Sequence, residues 1–221
     1  VGQAMALERS LNLFSKPAIA TEGIFPEFYF YDCHSCHRRI YDDPSARPTS
    51  VNNPGRPIAE GMPPYNDENM IMLSAAIRVA APEIAGEFDS RSKAFHAAMA
   101  QGREPAVQEA ARLRQYAVQL ADRFSRASFG KAQTFRIMET IAGEAISPRF
   151  TDYEGSVQAV MAIDTLLNGL VNGGQVSPSA AASLRGQINV AYQAVADPNG
   201  YDPLKFRRAL GSAVRTIRSL S

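Results

Sequence analysis

The sequence predicts an all-α fold, in which an N-terminal region with a long proline-rich loop is followed by an antiparallel helical bundle. From about residue 87 onward, apolar side chains recur at three- and four-residue spacing, the period of one helix face. Before that point the chain carries prolines at 44, 48, 54 and 57, a density that indicates a loop rather than a helix. A chain of 221 residues is long enough to bury a proper core as one or two domains.

The individual helices follow from this spacing and from residues that start or stop a helix. A short first helix is predicted over about residues 3–14, and Pro17 ends it. Asn66 or Asp67 can cap a second helix that runs to about Ala80, before Pro82. The later helices are predicted over about residues 87–101, 104–125, 130–146, 151–172, 178–196 and 203–220, and Ser177 and Asp202 are the expected caps of the last two.

The side chains able to bind metals or cofactors are unevenly distributed. Both cysteines and all three histidines lie within the first 96 residues, and the helices beyond them show no E-x-x-H or other paired metal motif. We therefore predict two regions. Residues 1–126 would hold the functional site, and residues 127–221 would form a helical bundle that docks a partner or completes the core.

Composition excludes two classes of partner. Lysine and arginine total 23 against 22 acidic residues, so the chain lacks the basic excess expected of a nucleic-acid-binding protein. No run of eighteen apolar residues occurs, so no membrane span is expected in this chain.

The most specific motif in the chain is C-x-x-C-H, formed by Cys33, Cys36 and His37. Two thiols at this spacing can each form a thioether to one haem vinyl group, and the following histidine can bind the iron from the proximal side. A redox dithiol would need a βαβ setting, and a zinc site would need four well-separated ligands. A disulfide between the two cysteines would close too small a loop to stabilise much. His34, inside the attachment loop, is expected to face solvent or a partner.

The motif and its flanks resemble the c-type cytochromes. Met62-Pro63-Pro64 followed by a capped helix is similar to the distal methionine segment of small monohaem members. The Y-x-C-x-x-C-H and P-G-R-P pieces resemble segments of multihaem members, and the resemblance covers roughly residues 28–73. It implies one covalent haem c, attached outside the cytoplasm. We therefore expect a periplasmic protein from which a signal peptide has been removed.

The sixth iron ligand decides the chemistry of such a site. His96 is the only histidine outside the motif, borders an apolar helical stripe, and is the expected distal ligand, with Met62 as the alternative. Arg56, fixed between Gly55 and Pro57, is the expected partner of a haem propionate, because a guanidinium binds carboxylates in a planar, bidentate manner.

Two classes of function remain open at this point. A six-coordinate iron would make the chain a monohaem electron carrier between redox partner proteins rather than a stand-alone enzyme. An open or weakly held distal site would instead bind a diatomic gas or peroxide, with His96 as the candidate acid–base group. A haem that relays electrons within a larger oxidoreductase is a further possibility.

The extended stretch over residues 24–31 leads directly into the motif and is densely aromatic. Large flat side chains bury much apolar area, so these rings are expected to wall the porphyrin, to anchor the segment on the helical core, or to do both.

Overall fold

The computed structural model describes residues 1–21, 27–35, 37, 55–59, 62–147 and 152–220. Over these ranges the chain is all-α, as predicted, and its helices pack together into a bundle. Within the described part of the chain, the β structure consists of one isolated antiparallel bridge between Tyr31 and Tyr65. The α-helices are α1 (Gly2–Phe14), α2 (Glu68–Ala80), α3 (Pro82–Met99), α4 (Arg103–Arg126), α5 (Lys131–Ala145), α6 (Tyr153–Asn172), α7 (Pro178–Ala194) and α8 (Pro203–Leu220).

The largest difference from the predicted helix boundaries is at the start of α3. That helix begins at Pro82 and not at residue 87, so only Ala81 separates it from α2. Proline is tolerated in the first turn of a helix because its missing N–H would have no intrahelical acceptor there. Pro82 therefore ends α2 and begins α3.

The predicted helix caps divide into two groups. Ser177 accepts a hydrogen bond from the Ala180 N–H, and Asp202 accepts from the N–H groups of Leu204 and Lys205, as expected of caps. Asp67 occupies the N-cap position of α2, but its side chain makes no capping hydrogen bond. Its carboxylate is used in the site described below.

The buried side chains form two clusters that share α2. The first cluster is built largely from α1, α3 and α4, and the second from α5 to α8. From the middle of α2, Leu73 and Ile77 belong to the first cluster, whereas Met72 and Ala75 belong to the second. The division at residues 126 and 127 stays a prediction, but α2 gives both clusters a common wall.

None of the helices in the described ranges is both long enough and apolar enough to cross a membrane. This agrees with the expectation from the sequence.

Replacing either of two neighbouring core residues of α2 tests whether the clusters unfold together. Met72→Ala and Leu73→Ala each remove a fully buried side chain, from the second and the first cluster respectively, and each should lower the free energy of unfolding by about 2–5 kcal/mol. Because α2 is common to both clusters, we expect one cooperative transition in thermal and urea unfolding for each variant. Two separate transitions, only one of them shifted by Met72→Ala, would show that the clusters are independent domains.

Candidate functional site

A cluster of aromatic rings fixes the chain just before Cys33. Phe30 is buried and contacts the rings of Phe14 at 5.2 Å and Tyr65 at 6.2 Å, and Phe95 of α3 closes the cluster against Tyr65 at 4.9 Å. The Tyr65 hydroxyl lies 2.6 Å from Ser10 Oγ on α1, and burial raises the pKa of that hydroxyl above its ordinary value. Phe30 thus anchors the segment just before Cys33 on the helical core. This is one of the two roles that the sequence predicts for these aromatic rings.

Two neighbouring aromatic side chains are largely exposed, although the ring of Tyr29 contacts that of Phe30 at 5.2 Å. Phe28 is 70% exposed and Tyr29 is 77% exposed, although both stand within five residues of Cys33. Large exposed rings side by side are uncommon on a soluble protein surface and mark places where a ligand or partner binds. Of the other two aromatic residues of the stretch, Tyr31 is partly buried and forms the bridge to Tyr65, and Phe25 lies outside the described residues.

Backbone hydrogen bonds join this segment to the chain ahead of α2. The Asp32 N–H donates to the Pro64 carbonyl at 2.8 Å, and the Asn66 N–H donates to the Phe30 carbonyl at 2.8 Å. The two segments run antiparallel around the Tyr31–Tyr65 bridge. In an antiparallel pair, the start of one segment lies beside the end of the other. Met62, which precedes Pro64, therefore lies at the end of the pairing where the first segment continues from Asp32 to Cys33.

The motif itself begins as a short 3₁₀ turn over Cys33–Ser35, and the His37 N–H donates to the Cys33 carbonyl at 2.8 Å. This bond closes one turn of chain, so Cys33 and His37 are held near each other. Both residues are exposed. Cys36 lies outside the described residues.

His34 attaches the motif to the second half of the chain. Its Nδ1 lies 2.9 Å from Glu154 Oε1, and its ring is 4.8 Å from that of Tyr153, both residues standing in the first turn of α6. Instead of facing solvent or a partner, as expected, His34 is 30% exposed and packs against α6. The haem-type motif is therefore held on one side by the aromatic cluster and on the other by α6.

Arg56 lies at the centre of a buried group of ion pairs. Its guanidinium donates through Nε and Nη2 to the two oxygens of Asp67, and through Nη1 to Asp152 Oδ2 at 2.9 Å. Burial by itself would lower the pKa of Arg56, but the two carboxylates outweigh burial and raise that pKa. Conversely, burial alone would raise the pKa of Asp67, and Arg56 with His96 lowers it. Arg56 thus ties residues 55–59 to the first turns of α2 and α6.

His96 is buried beside Asp67. The residue is 3% exposed, and its Nε2 is 2.8 Å from Asp67 Oδ2. The distance is that of an ion pair between the ring and the carboxylate. With Nε2 directed at a carboxylate, Nδ1 is the ring nitrogen left for a metal. Its role as a ligand stays a prediction.

A polar cavity of about 220 Å³ adjoins these ion pairs. Arg56, Asp67 and His96 line it together with residues of α2 and α3, whereas Cys33, His37 and Met62 do not line it. The structure therefore brings two of the expected site residues, Arg56 and His96, to one place and the haem-type motif with Met62 to another.

A further group of carboxylates lies beside the motif. Burial, together with the charges of Glu154, Asp152 and Asp32, raises the pKa of Glu68 to about 7, against a hydrogen bond from Gln158 that lowers it. Glu68 is thus a carboxyl that titrates near neutral pH, close to His34 and its partner Glu154. Across the described ranges, no group of three or more histidine, cysteine, aspartate or glutamate side chains is arranged to hold a metal ion.

Asp67 and Asp152 were not expected to be site residues. Each stands at the start of a helix, where an acidic residue is normally interpreted as a cap. Asp152 does cap α6 by accepting from the Gly155 N–H at 2.9 Å while it also accepts from Arg56. One indication of these contacts is present in the sequence, because Arg56 stands between Gly55 and Pro57 in a long loop. An arginine held in this way implies a buried partner, but the sequence does not identify that partner.

The chain matches no protein-family model, no curated protein and no solved structure.

Replacing Arg56 should be strongly destabilising in a pH-dependent way. Arg56→Gln removes the guanidinium that pairs with the buried Asp67 and Asp152, and breaking a buried ion pair in this way typically costs about 3–5 kcal/mol at neutral pH. The folded-state pKa of Asp67 is held below 3.8, so the stability that it contributes is present above that pH and is lost as pH falls through the lowered value. The difference between wild type and variant in urea unfolding should therefore shrink below about pH 4.

A matched control is Arg123→Gln on the surface of α4. Arg123 pairs with Glu83, but both side chains are largely exposed, so its replacement should change stability by less than about 1 kcal/mol at either pH. An equal loss of stability for Arg56→Gln at pH 7 and at pH 3 would contradict the assignment of a charged, buried network.

Proposed function

We propose that this protein is a monohaem c-type electron carrier, with haem attached through Cys33 and Cys36 and His37 as the proximal ligand. The observation that supports it most is the C-x-x-C-H motif itself, whose first cysteine and histidine stand exposed on one closed turn of chain. Each thiol would add across one vinyl group, forming a C–S bond while its hydrogen passes to the other vinyl carbon. When bound, the iron would supply reversible one-electron chemistry.

The residues around the motif fit an attached porphyrin. Cys33 is accessible to the reacting group, and the exposed rings of Phe28 and Tyr29 offer apolar area for a flat, largely apolar ligand to cover. Phe30 anchors the segment just before the motif, and His34 anchors the start of the motif itself. A turn fixed in this way would orient the His37 ring toward the iron with little loss of conformational freedom on binding.

We propose Met62 as the distal ligand in preference to His96. The pairing of residues 30–32 with 64–66 carries Met62 to the Cys33 end of the site, and Met62 is only partly buried. His96 is enclosed beside Asp67 and lines a cavity that Cys33 and His37 do not line. A methionine ligand would give the iron a higher reduction potential than a second histidine.

The ion pairs of Arg56 bear on its expected role as the partner of a haem propionate. Three of its guanidinium nitrogens already donate to Asp67 and Asp152, so a propionate would have to compete with two carboxylates. Arg56 as a propionate partner stays a prediction. In the proposal, its main effect is to hold residues 55–59, and through them the approach to Met62, against α2 and α6.

One observation favours a second candidate function. His96 and Arg56 line the same polar cavity, a pair of groups suited to proton transfer and to charge stabilisation during peroxide chemistry. This second function requires the distal side of the haem to face the cavity that His96 and Arg56 line. Rapid carbon monoxide binding by the unmodified ferrous protein would favour it, because a six-coordinate iron has no open position.

The proposed partners and location follow from the cofactor. An electron carrier needs a donor and an acceptor protein, and thioether attachment in the cytochromes that this chain resembles takes place outside the cytoplasm. We therefore propose a periplasmic or equivalent compartment.

Haem attachment can be measured directly. Expression with a cytochrome c maturation system should give a protein whose intact mass exceeds that of the polypeptide by one haem and whose pigment remains with the protein in acid–acetone. Cys33→Ala should leave at most one thioether and weaken retention, and Cys33→Ala with Cys36→Ala should release the pigment completely. Pigment extracted from the unmodified protein, or a mass without haem, would refute the proposal.

The distal ligand is distinguished by two substitutions. Met62→Ala should convert a low-spin ferric iron to high spin and allow carbon monoxide to bind the ferrous form, because it removes the sixth ligand. His96→Ala should leave the spin state unchanged while lowering stability, since it removes a buried partner of Asp67. The opposite pattern would assign the ligand to His96, and no change in either variant would show that the distal site is open.

A further inference from the structure

We propose that the exposed face of α8, carrying Lys205, Arg208 and Arg215, docks the acidic face of a redox partner protein. The inference deepens the electron-carrier function proposed above and rests on it for the nature of the partner. It concerns the helices of the second half of the chain, which hold no candidate ligand of their own.

Helices α7 and α8 pack against each other and carry charge of one sign. Together they contain six lysine and arginine residues and no acidic residue, although the whole chain is nearly balanced at 23 basic to 22 acidic. Such a local excess creates a positive potential that attracts anionic surfaces, and the effect is strongest at low ionic strength.

The cations of α8 are arranged as a stripe along its solvent side. Lys205, Arg208, Ser212 and Arg215 follow each other at spacings of three, four and three residues, the repeat of one helix face. In the described part of the chain, no carboxylate lies within ion-pairing distance of these three cations. By contrast, Arg218 beside the stripe donates to Glu139 of α5 at 2.7 Å.

The surface between α7 and α8 also offers a shallow apolar feature. A groove of about 410 Å³ lies between the two helices, lined by Gln187, Val190, Lys205, Arg208, Ala209 and Ser212. Val190, one of these lining residues, is 58% exposed. An apolar centre with cations around it matches the surface expected of a transient protein interface.

The opposite face of α8 decides between a protein and a lipid partner. Phe206, Leu210, Val214 and Ile217 are buried in the second cluster, so they are not available to enter a bilayer. A basic amphipathic helix that binds a membrane needs that apolar face free. The observations therefore favour an acidic protein face, to which only the cationic side of α8 is presented.

The stripe begins close to the motif. The ring of His34 contacts that of Tyr153, which lies 5.4 Å from the ring of Tyr201, just ahead of α8. The Tyr153 hydroxyl also donates to the Val195 carbonyl at the end of α7. A partner seated on Lys205 and Arg208 would therefore stand beside the segment that carries the proposed haem.

Two loop carboxylates at this end do not cancel the stripe. Asp202 accepts from the Leu204 and Lys205 N–H groups as a helix cap, and Asp197 accepts from the Asn199 N–H. Both are held by local backbone groups, so neither is directed at Arg208 or Arg215.

The first test measures binding to a poly-L-glutamate peptide at low salt by isothermal titration calorimetry, which needs no iron. Wild type should bind, and the triple variant Lys205→Ala, Arg208→Ala, Arg215→Ala should bind about tenfold more weakly, as expected for the loss of three exposed charge contacts. The matched control Arg9→Ala, Lys93→Ala, Arg136→Ala removes three exposed cations from α1, α3 and α5 and should bind as wild type does. Equal weakening of both triple variants would overturn the proposal.

The same proteins are tested with vesicles of phosphatidylglycerol and with small oxidants of opposite charge. Vesicle binding without peptide binding, lost in the α8 variant, would overturn the proposal in favour of a lipid surface. In the haem-loaded protein, oxidation by ferricyanide should slow several-fold in the α8 variant at low salt, while oxidation by a cationic cobalt(III) phenanthroline complex should not slow. Unchanged ferricyanide rates would show that the face does not serve the haem. Absence of haem would refute only the proposed function, because the peptide result stands without it.

Discussion

The buried guanidinium of Arg56 is the interaction on which the arrangement of the site depends. It joins residues 55–59 to Asp67 at the start of α2 and to Asp152 at the start of α6, two helices that belong to different parts of the sequence. Burying an arginine and two aspartates is costly unless each charge is paired, and here each is. Because removal of the arginine would take the guanidinium partner from both buried carboxylates, the network fixes residues 55–59 against the starts of α2 and α6.

A second constraint, weaker in energy but more specific in position, brings the two ends of the site together. The hydrogen bonds of residues 30–32 with 64–66 and the stack of Phe30 on Tyr65 connect segments more than thirty residues apart. The connection brings Met62 toward the Cys33 end of the pairing, whereas His96 lies beside Asp67. The candidate residues that the sequence assigned to one haem site therefore lie in two places. One place is the C-x-x-C-H motif, and the other is the cavity beside Asp67.

The helices and the motif could be predicted from the sequence because both depend on local patterns. Apolar spacing, Pro178, Pro203 and the caps Ser177 and Asp202 each act within one helical turn, and the helices are found where those signals place them. The start of α3 was missed because a proline that ends one helix can also begin the next. From the local sequence alone, a proline that only ends a helix cannot be distinguished from one that also begins the next helix.

The partners of the site residues could not be predicted, because they come from distant parts of the chain. Nothing near Arg56 in sequence indicates that its guanidinium faces Asp152, ninety-six residues later. His34 likewise binds Glu154 across 120 residues of sequence. In both cases the acidic residue sits in the first turn of a helix, where its local role as a cap or dipole partner is sufficient to explain it. Long-range charge pairing leaves no periodic signal, whereas core packing does.

The central claim is that the turn carrying Cys33 and His37 holds a haem whose distal side is closed by Met62. Iron K-edge X-ray absorption of the purified ferric protein tests it most directly, because the fine structure distinguishes sulfur from nitrogen in the first coordination shell. The account predicts five nitrogen neighbours and one sulfur neighbour, with the sulfur lost in Met62→Ala. A shell of six light atoms without sulfur, or a protein that contains no iron after maturation, would contradict it.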